Sequence, residues 1–205
     1  MIDTPKQKRA MDTRKRILQA GLKLFTEDGY HQTSSKKIAA QAGVATGTFY
    51  NHFEDKKALL LELHNEHVAS VHSEIAAFFD RISTTKAKNR EQLTEREIMR
   101  EMVALILRTH QFGPALHREL HILSFTDADF AHMAQMERES GHNRLKESLA
   151  PFWHKLRVKD KDTATILVGM TIETVVHSIV MDQPPVAAQR LTEALTDMLH
   201  RYLFK

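Results

Sequence analysis

The sequence predicts an all-α protein of about nine helices, a compact N-terminal unit of three short helices followed by a larger helical bundle. Glycine and proline are scarce, seven and five in 205 residues, whereas a chain of many short strands needs a turn every ten or so residues and more of both. Apolar residues recur at spacings of three and four along almost the whole chain, the period of a helix with one buried face, and no segment reads as a convincing strand. The length is enough to bury a real core as one large domain or two small ones. Cysteine is absent, which excludes disulfide frameworks, Cys-ligated zinc, thiol nucleophiles and thiol redox sensing. The first thirty residues are polar and basic with no apolar signal core, and no uninterrupted run of about 18 apolar residues occurs, so a cytoplasmic protein without a membrane span is expected.

The first helix is predicted from an N-cap at Asp12 or Thr13 to about Asp28, with Ile17, Leu18, Gly21, Leu24 and Phe25 on one face and Gly29 as its stop. Thr33, Ser34 and Ser35 offer caps to a short second helix carrying Ile38, Ala39 and Ala42 inward. Gly43 ends it and supplies the left-handed turn that a Cβ resists, while Val44 fills the corner. A third short helix runs from Thr46 to Phe53, with Phe49 and Phe53 facing in. Asp55 caps a longer fourth helix in which Leu59, Leu63, Val71, Ile75, Phe78 and Ile82 recur, and a loop is expected over 83–89. The domain border falls within this helix, giving units of 1–60 and 61–205.

Thr94 and Glu97 have capping-box spacing ahead of Ile98, Met102, Leu105 and Ile106. Pro114 suits the first position of the next helix. Another helix starts near Thr126 or Asp127, carries Phe130, Met133, Leu145 and Leu149, and is expected to bend or break at Gly141 and Pro151. Residues 166–181 are apolar almost all round, and after Pro184-Pro185 a last helix places Leu191, Leu195, Met198 and Tyr202 at spacings of four, three and four. More apolar surface than one small body needs points to a helix-pair interface with a second copy. Its candidate residues are Ile166, Met170, Val176, Ile179, Val180, Leu191, Leu195, Met198 and Tyr202; intramolecular core is the alternative.

Charge separates the two units. Residues 1–60 hold 11 Lys/Arg against 6 Asp/Glu, which is +5, and 61–205 hold 18 against 20, which is −2. Six of the eleven bases precede Ile17. A basic end on a near-neutral body suggests an anionic partner, although a solvated arm looks the same on charge alone. A membrane surface is disfavoured, because the apolar stripe of the first helix is needed inside the three-helix unit.

Residues 35–53 have helix-turn-helix logic: a small Ala39 where two helices cross, Gly43 at the turn, and a second helix with an aromatic inner face. Its outer face presents Thr46, Gly47, Thr48, Asn51 and His52. Threonine offers a hydroxyl and a methyl for base edges, and asparagine can bond adenine at two points. Tyr50, His52, Lys36, Lys37 and Lys56 are placed for phosphates, which fix register without reading sequence.

Residues 13–63 resemble the DNA-binding domain of the tetracycline-repressor (TetR) family of bacterial transcription regulators. The resemblance rests on Ile17-Leu18-x-Ala20, Leu24-Phe25, Gly29-Tyr30, Thr33-Ser34, Ile38-Ala39, Ala42-Gly43-Val44, Gly47-Thr48-Phe49-Tyr50, His52-Phe53, and Lys56 with Leu59-Leu60. One departure is Ala45, where the family often has a serine N-cap. The resemblance implies that Thr33 or Ser34 binds a phosphate, that Thr46, Gly47 and Thr48 meet base edges, and that Tyr50, His52 and Lys56 grip the backbone. It further implies a homodimer formed through the last two long helices, double-stranded operator DNA with an inverted repeat, and a small-molecule effector that releases the DNA.

Methionines and aromatics at helical spacing suggest walls for a largely apolar effector: Met99, Met102, Phe112, Phe125, Phe130, Met133, Met136, Trp153 and Met170. Plain core is the alternative for each. Glu173 and His177, four apart in an apolar helix, read as a polar anchor for an effector or as partners in an internal or dimer-interface hydrogen bond. Thirteen histidines raise a second class of function, a His/Asp metal-dependent enzyme or metal sensor, through His117 and His121 with Asp127 and Asp129, or His64 and His67. Spacing supplies neither a third ligand nor an orienting partner, and no complete nucleophile, base and orienter set occurs. The expected protein is therefore not an enzyme and has neither cofactor nor resident metal.

Overall fold

The computed structural model describes residues 5–87, 93–110, 114–182 and 184–204. These residues form nine α-helices: α1 (Pro5–Glu27), α2 (Ser35–Gln41), α3 (Thr46–Tyr50), α4 (Lys56–Ala87), α5 (Glu95–His110), α6 (Pro114–Thr126), α7 (Ala128–Leu149), α8 (Lys161–His177) and α9 (Ala188–Leu203). An isolated bridge between Leu156 and Phe204 is the extended pairing seen among the described residues. The chain divides into two compact units, Met1–Ser70 and Val71–Lys205, with the border inside α4 and ten residues beyond the expected one at residue 60.

In the first unit, α1 starts at Pro5, well before the expected cap at Asp12 or Thr13. Proline suits the first turn, where its missing N–H goes unused. Of the predicted inward residues Ile17, Leu18, Phe25, Ile38, Ala39, Ala42, Phe49, Phe53 and Leu59 are buried, Leu24 and Leu63 are only half-buried, and Ala20 and Leu60 join the interior. Gly21 lies so close to Leu59 that a Cβ there would collide with the leucine side chain. Ser34 caps α2 by accepting from the Lys37 N–H at 3.2 Å. Gly29 and Gly43 take φ of 84° and 65°, the left-handed values that make glycine the fitting residue at both turns. Arg14 pairs with Glu62 and lies 4.8 Å over the Phe53 ring, tying α1 to α4 within this unit.

Helix α3 ends at Tyr50, three residues short of the expected Phe53, which stays buried in the turn that follows. Its N-cap is Ala45, with no side-chain hydrogen bond. Replacing Ala45→Ser should therefore raise the stability of this unit by about 1 kcal/mol, since serine there can accept from a free first-turn N–H. An increase in the urea midpoint at constant slope is the readout.

In the second unit, the Thr94 capping box forms in full. Thr94 N–H donates to Glu97 Oε2 at 2.8 Å and Glu97 N–H donates to Thr94 Oγ1 at 3.3 Å. Helix α4 runs on to Ala87, into the stretch expected to be loop. Asp127 caps α7, accepting from the Asp129 and Phe130 N–H groups. Helix α7 passes Gly141 without interruption, because one glycine weakens a helix by only about 1 kcal/mol. It gives way at Leu149 to a 3₁₀ turn, Ala150–Phe152, that holds Pro151.

Helix α8 is followed directly by a π turn, Ser178–Asp182. The segment Lys161–Asp182 is long and apolar enough, by length and composition, to cross a membrane. Here Ala164, Thr165, Val168, Ile172 and Val176 form its buried face, packed with Met99, Met102, Val103, Leu195, Leu199 and Leu203 from α5 and α9. That makes it the core helix of the unit, and its apolar outer face remains uncovered within one chain. Arg96 pairs with Asp197 at 2.6 Å, and the Arg157 N–H donates to the Leu203 carbonyl at 2.8 Å, so the end of α9 is fastened on two sides.

Candidate DNA-binding face and histidine cluster

Phe49, fully buried, anchors α3 against Phe53, with ring centroids 5.8 Å apart. Fixing one side of a five-residue helix leaves the other side outward. Thr46, Gly47, Tyr50 and Asn51 are exposed there, while Thr48 and His52 are half-buried. Tyr50 stands edge-on to Phe49 at 5.4 Å, so its ring is held although more than half exposed. A Cβ built on Gly47 meets nothing within 4 Å, so the fold of the isolated chain does not require glycine at this position. Glycine in a helix costs about 1 kcal/mol relative to alanine, and bringing backbone close to a partner is a reason to keep it. Lys36 and Lys37 are exposed on α2, with Lys37 donating to the Gln32 carbonyl at 3.0 Å.

Two expected phosphate contacts are turned inward. Thr33 is buried, and its hydroxyl donates to the Gly29 carbonyl at 2.8 Å, closing the α1–α2 turn. The Lys56 ammonium donates to the carbonyls of Tyr30 and Thr33 at 2.7 and 2.8 Å and sits 4.2 Å over the Tyr30 ring. Both side chains brace the scaffold. Ser34 keeps an exposed hydroxyl at the start of α2.

The model of the tetR family of bacterial regulatory proteins matches residues 17–63, and that of the tetracyclin repressor-like C-terminal domain matches residues 96–203, which is more than half of the chain. The chain belongs to the tetR family. Similar curated proteins are the fatty acid metabolism regulator protein of Bacillus subtilis, 33% identical over 94 residues (46% of this chain, 41% of the relative), and the transcriptional regulator UidR of Escherichia coli, 43% identical over 54 residues (26% and 28%). These matches span less than half the length of the curated relatives. A TetR-family regulator from Mesorhizobium loti shares the fold at a TM-score of 0.73 and 17% identity, covering 96% of this chain and 99% of that one. Thermus thermophilus FadR, a repressor solved with lauroyl-CoA, aligns at a TM-score of 0.62 and 20% identity, covering 92% and 94%. The family comprises transcriptional regulators, not enzymes.

In this tetR-family chain the expected pocket residues separate into three sets. Met99, Met102 and Phe130 are fully buried, and Met133 and Trp153 half-buried. Phe125 (78% exposed), Met136 and Met170 face outward, so none of the three walls a cavity within one chain. Phe112 lies outside the described residues. The interface residues also divide. Ile166, Met170, Met198 and Tyr202 are exposed, joined by Leu167, which the sequence reading passed over. Ile179, Val180 and Leu191 are half-buried. Val176 and Leu195 are core, because the inward arcs of α8 and α9 pass through them, and they are unavailable to a second copy.

Glu173 is exposed, and among the described residues it makes no internal hydrogen bond with His177. His177 instead meets other imidazoles, with ring centroids 4.8 Å from His117, 5.3 Å from His110 and 5.5 Å from His121. His110 and His117 are 5.0 Å apart. Burial, reinforced by the neighbouring imidazoles His110 and His177, pushes His117 down to about 3. Burial together with His110 and His121 pushes His177 down to about 4, with Glu137 and Asp182 pulling the other way. Both rings are neutral at pH 7. The alternative metal set, His117 and His121 with Asp127 and Asp129, breaks up, since His121 is exposed and Asp127 is committed to capping α7. His110, which the sequence reading missed, is the last residue of α5 and reaches the cluster from there.

Proposed function

We propose that this tetR-family regulator is a cytoplasmic homodimeric repressor whose α3 helices read an inverted-repeat operator in the major groove, and which a small, largely apolar effector releases. The observation that carries the reading is the outward face of α3, where Thr46, Gly47, Tyr50 and Asn51 project from a helix locked by buried Phe49. Thr46, Thr48 and Asn51 address base edges, and Ser34, Lys36, Lys37, Tyr50 and His52 address phosphates. The +5 charge of residues 1–60 favours approach to the duplex. Selection from a random duplex pool tests this: enriched inverted repeats with half-site centres about 34 Å, or a multiple, apart are expected. An unenriched pool would sink it.

The outer faces of α8 and α9 support dimerisation, with Ile166, Leu167, Met170, Met198 and Tyr202 exposed together in one chain. A second copy presenting the same residues buries them. The double substitution Met170→Glu, Met198→Glu should give folded monomers by light scattering, because both side chains already face water in the isolated chain. A dimer of unchanged stability would place the interface elsewhere. The effector acts only through its different affinity for DNA-competent and DNA-incompetent states. Its apolar character is supported by the Met-rich interior of the second unit and by the fatty-acid regulator among the relatives.

A further inference from the structure

We propose that His110, His117 and His177 bind a divalent transition-metal ion of the zinc class, through three imidazoles from three helices with a fourth position open. One nitrogen of each ring lies within 4.8 Å of the others. Tetrahedral coordination at Zn–N distances of about 2.0–2.1 Å sets ligand nitrogens about 3.3 Å apart. The remaining difference is within reach of small side-chain rotations. Imidazole is a borderline ligand that suits zinc, copper, iron and nickel, and a chain without cysteine offers no thiolate to compete.

Two further observations separate this cluster from chance packing of aromatic rings. The His110 Nδ1 is 2.8 Å from the Ile106 carbonyl, which can only accept, so Nδ1–H donates there and Nε2 is the ring nitrogen left for a ligand role. Metal-bound histidines are oriented in this way, with the second ring N–H held by a backbone carbonyl or carboxylate. The His117 Nε2 is buried with no hydrogen-bond partner in the structure. A buried polar atom left so is destabilising, and a bound ion satisfies it.

The surroundings can hold a cation. His121 stands beside His177 on the exposed side and can swing to the fourth position, which water otherwise fills. Glu137 and Asp182 supply negative charge toward the cluster. Arg118, the neighbouring base, donates to the Met181 carbonyl. His177 closes α8 where the π turn begins, an irregularity often found at functional sites. Bound metal would join α5, α6 and the end of α8, all within residues 71–205, and the site stands whether or not α3 reads DNA.

Cobalt(II) is the probe, added to tag-free full-length protein previously treated with chelator. The expected result is one Co²⁺ per chain with the intense visible absorption of tetrahedral coordination, displaced by Zn²⁺. His117→Asn and His177→Asn should each weaken binding at least about 100-fold, as losing a ligand exceeds the 10–100-fold cost of losing its orienting partner. His121→Asn should retain one Co²⁺ per chain. If a variant misfolds by circular dichroism, His110→Asn and the Zn²⁺-induced rise in wild-type melting temperature replace it, since an ion that binds only the folded state stabilises it. Absent visible bands, or bands unchanged across the variants of these three histidines, would overturn the site and assign any cobalt uptake to the other histidines.

Discussion

Substituting Gly47→Glu is expected to abolish operator binding, lowering affinity about 100-fold or more, while leaving the folded protein as stable as before or slightly more so. In the structure a Cβ at this position meets nothing within 4 Å, and the residue lies on the exposed side of α3 between Thr46 and Thr48. The fold accepts a side chain, and glutamate is the better helix former by up to about 1 kcal/mol. DNA would not accept it. A carboxylate there fills the space into which the backbone must approach the groove and adds like charge beside phosphates, in both half-sites of a dimer at once. A loss of about 1.4 kcal/mol at each half-site is tenfold in affinity, so a 100-fold effect needs only a modest penalty per helix. Fluorescence anisotropy with the selected duplex, beside urea denaturation of the same samples, separates binding from folding. Weakened binding with parallel loss of stability would mean that Gly47 serves the fold.

The second large effect belongs to the histidine cluster and appears as acid sensitivity of the metal-free protein. His117 in the folded chain is pushed down to about 3, well below the ordinary histidine value near 6.5, first by burial and then by His110 and His177. His177 is lowered for related reasons, with His121 adding to the effect and Glu137 and Asp182 opposing it. The unfolded chain therefore binds protons that the folded chain refuses, and stability rises with pH across this window. It is present in full above about pH 6.5 and is lost as the pH falls toward 4 and then 3. One proton taken up on unfolding corresponds to about 1.4 kcal/mol per pH unit. His177 counts for less than its shift suggests, because part of its ring reaches water. A loss on the order of 3 kcal/mol between pH 7 and pH 4 is expected in urea titrations with chelator present. His117→Phe removes the principal titrating group while filling its space, and should flatten the profile. Identical profiles for wild type and variant would show that carboxylates, not this cluster, set the acid limit.

The parts of the molecule legible in the sequence are those whose causes are local. The Thr94–Glu97 box, the Ser34 cap, Pro114 at the head of α6, the helix stop at Gly29 and the positive-φ turn at Gly43 each depend on a few adjacent residues, and each forms as expected. The boundaries that moved did so because helix continuation is cheap. Helix α1 begins at Pro5, α4 runs past Ser83, and α7 ignores Gly141. Burial was readable as a face but not as an arc. Val176 and Leu195 share helices with exposed Met170 and Met198, and a strongly apolar helix gives little contrast between the side that meets its own core and the side that faces away.

Roles that depend on distant partners were the least readable. Thr33 and Lys56 are expected at phosphates, Thr33 through the family resemblance and Lys56 also as a lysine near α3, yet their hydrogen bonds go to backbone carbonyls inside the turn. His110 and His177 are 67 positions apart in sequence, so no spacing rule unites them. The i, i+4 pair that spacing did suggest, His117 and His121, is split by burial, with one ring in the cluster's interior and the other at its edge.

The central claim, that two α3 faces of one dimer read two half-sites, is tested most directly by hydroxyl-radical footprinting of the wild-type protein on its selected duplex. The predicted result is two symmetric protected clusters whose centres lie about one helical turn, or a multiple of it, apart, both vanishing together in the Gly47→Glu protein. A single protected cluster, or a continuous coat indifferent to sequence and unchanged by Gly47→Glu, would contradict it.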